Sequence, residues 1–539
     1  MTTPAKALVV ALDAADPETI RSMAAAGELP ALARLLDESA TATTRNPYGL
    51  FVGSLWSTFF TARSAARTGF HCWEEIDTRS YEQRLTSPLE IRGRPFWETM
   101  SAAGRRVAVL DVPHSRAATP IDGIVLCEYG CHDRHFGFHT WPPPLAKEID
   151  ERFGLHPILA ADPYEVKEWA PDDYVLRAGQ HRTADEERAL LEGLLEGIER
   201  KSRVSTHLLA EGGWDLFLTV FGDSHSVGHQ QWHLHDPTHP WHDPALAAEL
   251  GDPLAAVYRA LDRAVGEHLA LVGRDTTVFV LLSHGMGPHY DGTHLLHEVL
   301  RLLDAEQVGG GAAMRAAKRV WARTPSVVRR LVQPGAAALL RRRLARHPLP
   351  PVRDWATAEE RAAQRFFSSP NNFVFGGVRI NLAGREPGGL VRPGAEYDAV
   401  CDRLAEDLLA LVNVDTGGPV VRHVARIDDH YHREPVDSLP DLLIDWAHDA
   451  PVDTVWSPKT GIVHGPYTHW RTGDHRPAGL LLASGPDMPA GTTFPAVDLV
   501  DLGASLAARF GVDLGDDVDG RPVPWCSGIG VPPSTTITA

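Results

Sequence analysis

The chain is poor in cysteine. Five are spread over 539 residues, at Cys72, Cys127, Cys131, Cys401 and Cys526, and an odd, scattered set offers no disulfide framework. Cys127 and Cys131 lack CxxC spacing and a second pair, which excludes a zinc ribbon. Nowhere do about 18 uncharged apolar residues follow one another, the length a membrane-spanning helix needs. The first apolar run, Ala7–Leu12, is too short for the core of a secretory signal. Positive charge is scarce as well: 52 Lys and Arg face 70 Asp and Glu, a net charge of −18, which argues against a nucleic acid polymer as partner. No repeat of solenoid period occurs. The expectation from these absences is a soluble cytoplasmic protein with no membrane association. At 43% hydrophobic and 23% charged residues it has the means to bury a large core.

What is present alternates. Short apolar runs read as strands buried on both faces at Ala7–Leu12, Val107–Leu110, Ile124–Cys127, Leu216–Phe221, Val278–Leu282 and Leu442–Trp446. Helical spacing falls between them at Pro17–Leu36, Ala184–Ala210, Pro253–Val272 and Tyr397–Val412. Strand and helix in alternation imply an α/β fold with a mostly parallel sheet, helices on both faces and functional groups at the strand carboxyl ends. Between residues 297 and 366 the pattern turns to Ala, Arg and Pro, with ten Lys or Arg and no acid from Arg315 to Arg346. This predicts a helical cap inserted into a core made of residues 1–296 and 367–524. Residues 525–539 lose periodicity and predict a loose tail.

The chemistry-bearing residues sit where strands are expected to end. Asp13 closes the first run. After Leu216–Phe221 comes Asp-Ser-His-Ser-Val-Gly-His, with His225 and His229 four apart and therefore on one helical face. His284 follows the Val278–Leu282 run, and His475 immediately precedes Pro477–Ala483. Remote segments thus propose one metal site.

Several segments together resemble the alkaline phosphatase superfamily, in its type I phosphodiesterase/nucleotide pyrophosphatase branch. They are Leu8-Val-Val-Ala-Leu-Asp-Ala-Ala-Asp with Gly27-Glu-Leu-Pro-Ala-Leu, then Leu281-Leu-Ser-His-Gly-Met286, Thr472-Gly-Asp-His-Arg-Pro-Ala-Gly, Val500-Asp-Leu-Gly and Asp519-Gly-Arg-Pro-Val523. The resemblance implies an alkaline phosphatase-like fold and two metal ions, commonly zinc, with Asp13, His229, His284 and His475 as matching ligands. Three slots depart from the family pattern. The Asp of its Asp-x-x-x-His pair is His225 here, with Asp223 two residues before. The Asp of its Asp-His-Gly-Met element is Ser283. Val52 takes the nucleophile slot when Phe51–Thr61 is counted from Trp56 and Thr61, leaving Ser54, Ser57 or Thr58 as substitutes through a shifted turn.

Two close dications are tolerated when carboxylates neutralise them, so losing two aspartates predicts a weak or absent second site. His225, His229 and His475 remain as three neutral nitrogens suited to Zn2+, with Mn2+ or Fe as alternatives. Asp13 and His284 would hold the weaker second ion or orient water and leaving group, with Ser54 as a catalytic candidate. The expected activity is hydrolysis of a small phosphate ester or nucleotide-like anion, with attack by metal-bound water. Two alternatives stand beside it: a non-hydrolytic metal- or ligand-binding scaffold, and a phosphoryl or sulfuryl transferase. Sulfatase specialisation is disfavoured because no Cys/Ser-x-Pro-x-Arg element is present. Asp223 is expected to be either a ligand or a carboxylate orienting an imidazole. Candidates for substrate contact are His132 and Asp133, in a run after Ile124–Cys127 that could equally be a closed loop, then His289, Asp291 and His294, and finally His464, His469, Arg471 and Arg476.

Overall fold

The computed structural model describes residues 6–131, 134–157, 182–309, 353, 355–432, 438–467 and 471–528. They divide into two compact units. The first is Met1–Thr68, Ser87–Pro288 and Trp470–Ala539; the second is Gly69–Thr86 with His289–His469.

The first unit is organised by a nine-stranded sheet. Its spatial order is Val497–Asp498, Ala40–Arg45, Ala478–Ser484, Thr276–Leu282, Lys6–Leu12, Leu216–Phe221, Val107–Leu110, Gly123–Cys127 and His139–Trp141. Seven strands point one way; Ala478–Ser484 and His139–Trp141 run against their neighbours. The sheet is therefore mostly parallel, as expected. The central strands are near-continuously apolar because both faces are covered: 216–221 and 276–282 are buried throughout, and 6–12 is buried from Ala7 onward.

The helices follow their local sequence signals. Ala184–Ala210 starts at a reciprocal capping box, in which the Thr183 side chain accepts from the Glu186 amide and Glu186 accepts from the Thr183 amide. The helical spacing of Pro17–Leu36 resolves into two helices, Pro17–Ala25 and Pro30–Glu38, because Gly27 turns the chain at φ +81°. The second of these has Leu29 at its N-cap, which supplies no side-chain bond. Asp262, from helix Pro253–Leu271, caps it instead, accepting from Leu32 N at 2.8 Å and Ala31 N at 3.2 Å.

The second unit has its own four-stranded sheet, in the order Phe366–Ser369, Phe375–Ile380, Leu442–Trp446, Val421–Arg426, antiparallel throughout. Two expectations are corrected here. Leu442–Trp446 belongs to this sheet and not to the parallel one, and residues 367–469 leave the first core to join residues 69–86 and 289–309. The reason is a separate apolar core, with Leu295, Leu300, Phe366, Val378, Leu404 and Ile444 among its members, pinned by the buried Arg379–Glu386 pair at 2.7 Å. Arg315–Arg346 lies outside the described residues. The tail is not loose at its start: Trp525, in the short helix Pro524–Ser527, stacks on Phe494 at 4.4 Å, and Cys526 is buried.

Asp262→Ala should lower stability by about 1–2 kcal/mol through loss of the cap, and Asp262→Asn by less. Denaturant unfolding of both variants measures this.

Candidate metal centre

Register brings the first groups together. Leu12 pairs with Phe221 on one side and with Leu282 on the other, so Asp13, the chain after 221 and Ser283 emerge at one level of the sheet's carboxyl edge. Ser224 Oγ donates to Asp13 O at 2.6 Å and Ser283 N donates to Leu12 O at 3.2 Å. Helix Asp223–His235 starts at this edge and carries His225 and His229. The antiparallel strand 478–484 is entered from the same edge, beside Leu282, which places His475 just before it.

His225, His229 and His475 are buried, and each offers one ligand atom within 4.8 Å of the others. Their ring centroids are 4.4 Å apart for 225–229, 4.9 Å for 225–475 and 4.5 Å for 229–475. His229 Nδ1 donates to Gly473 O at 2.7 Å, which assigns the Nε2 lone pair as the ligand atom. Three buried imidazoles converging in this way are a donor set that fits Zn2+ or a neighbouring first-row ion.

His284 lies beside the trio, 4.3 Å from His475 by centroid, with its Nε2 3.8 Å from Asp13 Oδ1. Asp13 is held by neutral donors: Trp56 Nε1 at 3.1 Å and Ser283 Oγ at 2.8 Å, both to Oδ1. The same Ser283 hydroxyl accepts from Ala14 N at 3.0 Å. Helix Phe51–Thr61 reaches the site through Phe51, edge-on to His284 at 5.6 Å, and Val52 follows it, half-buried.

Several candidates have other tasks. Ser54 is fully buried and its hydroxyl donates to Leu50 O at 2.8 Å, one turn back along its own helix; Ser57 and Thr61 do likewise with Ser54 O and Ser57 O. A hydroxyl in the helix interior thus satisfies itself on the nearest carbonyl. Asp223 lies 3.1 Å from Nε2 of His156, an imidazole outside the trio that the sequence did not single out. Arg476 turns its guanidinium onto backbone carbonyls, donating to His475 O at 2.9 Å and Pro288 O at 2.7 Å, so it fastens the two-stranded ladder of Gly285–Pro288 and Gly473–Arg476. Arg471 is buried. His289 is fully buried in the second unit with Nε2 2.7 Å from Asp291. Also in that unit, His294 bonds Gly465 O and His464 bonds Thr454. His132, Asp133 and His469 lie outside the described residues.

Directly after strand Gly123–Cys127 stands a buried carboxylate. Glu128 accepts from His135 N and Phe136 N, both at 2.9 Å. Burial pushes its carboxyl up to about 7, against the pull of those donors. Next to it, Asp111 is engaged at 2.6 Å by the buried Lys201 of helix 184–210. Asp111 carried a usable signal, since it follows its strand as Asp13 does; Lys201 carried none.

Comparison with known proteins gives one family. The model described as Type I phosphodiesterase / nucleotide pyrophosphatase matches residues 7–475. No curated protein matches. Among solved structures, phosphonoacetate hydrolase from Sinorhizobium meliloti 1021 is similar at 14% identity and a TM-score of 0.46, covering 92% of this chain and 94% of that one. Murine ectonucleotide pyrophosphatase / phosphodiesterase 5 is similar at 12% identity and a TM-score of 0.47, covering 96% and 98%.

The raised Glu128 carboxyl has a signed consequence. Between its ordinary value near 4.5 and about 7, the folded state holds a proton that the unfolded state has lost. Its contribution to stability is complete below the lower value and is lost as pH rises towards the upper one. Glu128→Gln should flatten the fall in stability over that window, measured by urea unfolding at a series of pH values.

Proposed function

Because the chain belongs to the type I phosphodiesterase/nucleotide pyrophosphatase family, we propose that it is a metal-dependent hydrolase of small phosphate esters or nucleotide-like anions. The observation carrying this reading is the convergence of His225, His229 and His475, three buried imidazoles, on one point. A Zn2+ held there supplies Lewis acidity and lowers the pKa of coordinated solvent towards neutrality.

The chain's own residues do the remaining work. Asp13, fixed by Trp56 and Ser283, presents a carboxylate beside His284 and orients water or the leaving group by hydrogen bonding. His284, with Nε2 3.8 Å from that carboxylate, is spaced to exchange a proton with it through an intervening water. By the family resemblance Val52 takes the slot that calls for a hydroxyl, and Ser54 and Ser57 of the same helix are spent on backbone carbonyls. Water therefore attacks phosphorus directly, and no covalent phosphoryl-enzyme forms. Ser283, a neutral residue in place of a carboxylate, leaves Asp13 and His284 as a weak second cation site at most.

The non-hydrolytic alternative draws support from the same resemblance, which puts an apolar residue, Val52, half-buried in helix 51–61, in the nucleophile slot. The two readings separate on purified protein. The hydrolase should carry about one equivalent of zinc by elemental analysis, turn over a nitrophenyl phosphodiester, and lose both in His229→Ala, where bound metal falls to near background. Intact-mass spectra during turnover should show no phosphorylated protein. Metal-free wild-type protein with no turnover after zinc is supplied would leave the scaffold reading in its place.

Ser283→Asp tests the charge argument. A second carboxylate against Asp13 should destabilise the metal-free protein by about 3 kcal/mol or more and raise zinc content from one towards two equivalents. An unchanged melting temperature with one equivalent would refute the role given to Ser283.

A further inference from the structure

Helix 223–235 is interrupted where the metal reading most needs it regular. Gln231, two residues beyond His229, has φ −128° and ψ 17°, outside helical values, and departures inside a helix have local causes such as an inserted side chain. The inserted group here is Thr472. Its amide donates to His229 O at 2.7 Å, its hydroxyl donates to the same oxygen at 3.1 Å, and its Oγ1 also lies 3.4 Å from His233 N. In an α-helix, O of residue 229 and N of residue 233 close one turn, so the Thr472 hydroxyl stands between the two groups of that turn.

The next residue completes the clasp. Gly473 O accepts from His229 Nδ1 at 2.7 Å. A side chain at 473 would meet Gly228 O at 2.2 Å, so glycine is required for the two backbones to approach. Two residues further stands His475, whose strand is paired to Gly285–Pro288 with His475 opposite Met286. Thr472 thus ties the segment bearing one imidazole to the carbonyl of the residue bearing another.

We infer that Thr472 is a positioning residue for the metal centre, whose hydroxyl fixes the pose of His229 relative to His475. This rests on the tri-histidine reading above. The Thr472 hydroxyl touches none of the imidazoles; it acts through the His229 carbonyl, as groups behind the ligands do at other metal sites, where their loss costs about 10- to 100-fold in metal affinity.

The test uses the full chain as wild type, Thr472→Val and Thr472→Ser. Valine keeps the shape and the backbone amide but loses the hydroxyl; serine keeps the hydroxyl. Zinc affinity is read by competition with a chromophoric chelator, and ligand geometry from the visible bands of the Co2+-loaded protein. Thr472→Val should bind zinc about 10- to 100-fold more weakly with shifted Co2+ bands, while Thr472→Ser stays within about twofold of wild type with unshifted bands. Wild-type affinity and spectrum in Thr472→Val overturn the inference. If the valine variant does not fold, the serine variant decides: retention supports the hydroxyl, and a loss of about tenfold or more assigns the role to methyl packing and overturns it. Wild-type protein that binds neither ion defeats the tri-histidine reading itself, an outcome distinct from failure of the clasp alone.

Discussion

The bond from His229 Nδ1 to Gly473 O is the constraint on which the centre depends. It joins two segments more than 240 residues apart in sequence, and because a carbonyl can only accept, it puts the proton on Nδ1 and leaves Nε2 as the ligand atom. A histidine free to rotate would lose entropy on binding an ion, whereas one already held by a carbonyl has lost most of that freedom during folding. The bond requires a glycine at 473: a side chain there would strike Gly228 O and Trp232, so helix 223–235 and strand 473–476 meet at a distance that only glycine permits.

Around this contact the sheet supplies the geometry and the charge balance follows from it. Parallel strands deliver Asp13, the 223–235 helix and Ser283–His284 to one edge at a common level. At that edge, carboxylates have been replaced by neutral groups in two positions relative to the family pattern. Ser283 turns what would be a site of anionic crowding into a hydrogen-bond donor for Asp13. On the function proposed above, His225 would give the trio three uncharged ligands, and a dication held there would keep more of its positive charge and act as a stronger electrophile towards an anionic phosphate. Val52 in the nucleophile slot of the family resemblance would accord with that, because a strongly acidifying ion has less need of a side-chain nucleophile.

Much of the strand framework was legible because buried parallel strands are near-continuous apolar runs; Leu216–Phe221 and Thr276–Leu282 are examples. His225 and His229 were legible because their spacing of four puts both on one helical face. Composition registers the Ser54 hydroxyl but not its direction, which inside the helix is towards Leu50 O. The Arg476 guanidinium likewise donates to backbone carbonyls, a direction no spacing encodes. His156, Lys201 and Thr472 escaped because each acts on a residue distant in sequence, through a contact that no local periodicity encodes. The second unit was misassigned because Leu442–Trp446 looks the same in sequence whether its neighbours run parallel or antiparallel.

The sequence by itself determined which segments are strands and helices, that imidazoles gather at strand ends, and that carboxylates and a hydroxyl are missing from slots where the family pattern has them. These are properties of residue type and spacing. Tertiary structure alone decided which strands are neighbours, which His229 nitrogen carries the proton, that Ser283 serves Asp13, and that the described residues of 69–86 and 289–469 form a unit of their own. Those outcomes depend on which backbones can approach and which donors find acceptors across hundreds of residues, and such pairings exist only once the chain has closed on itself.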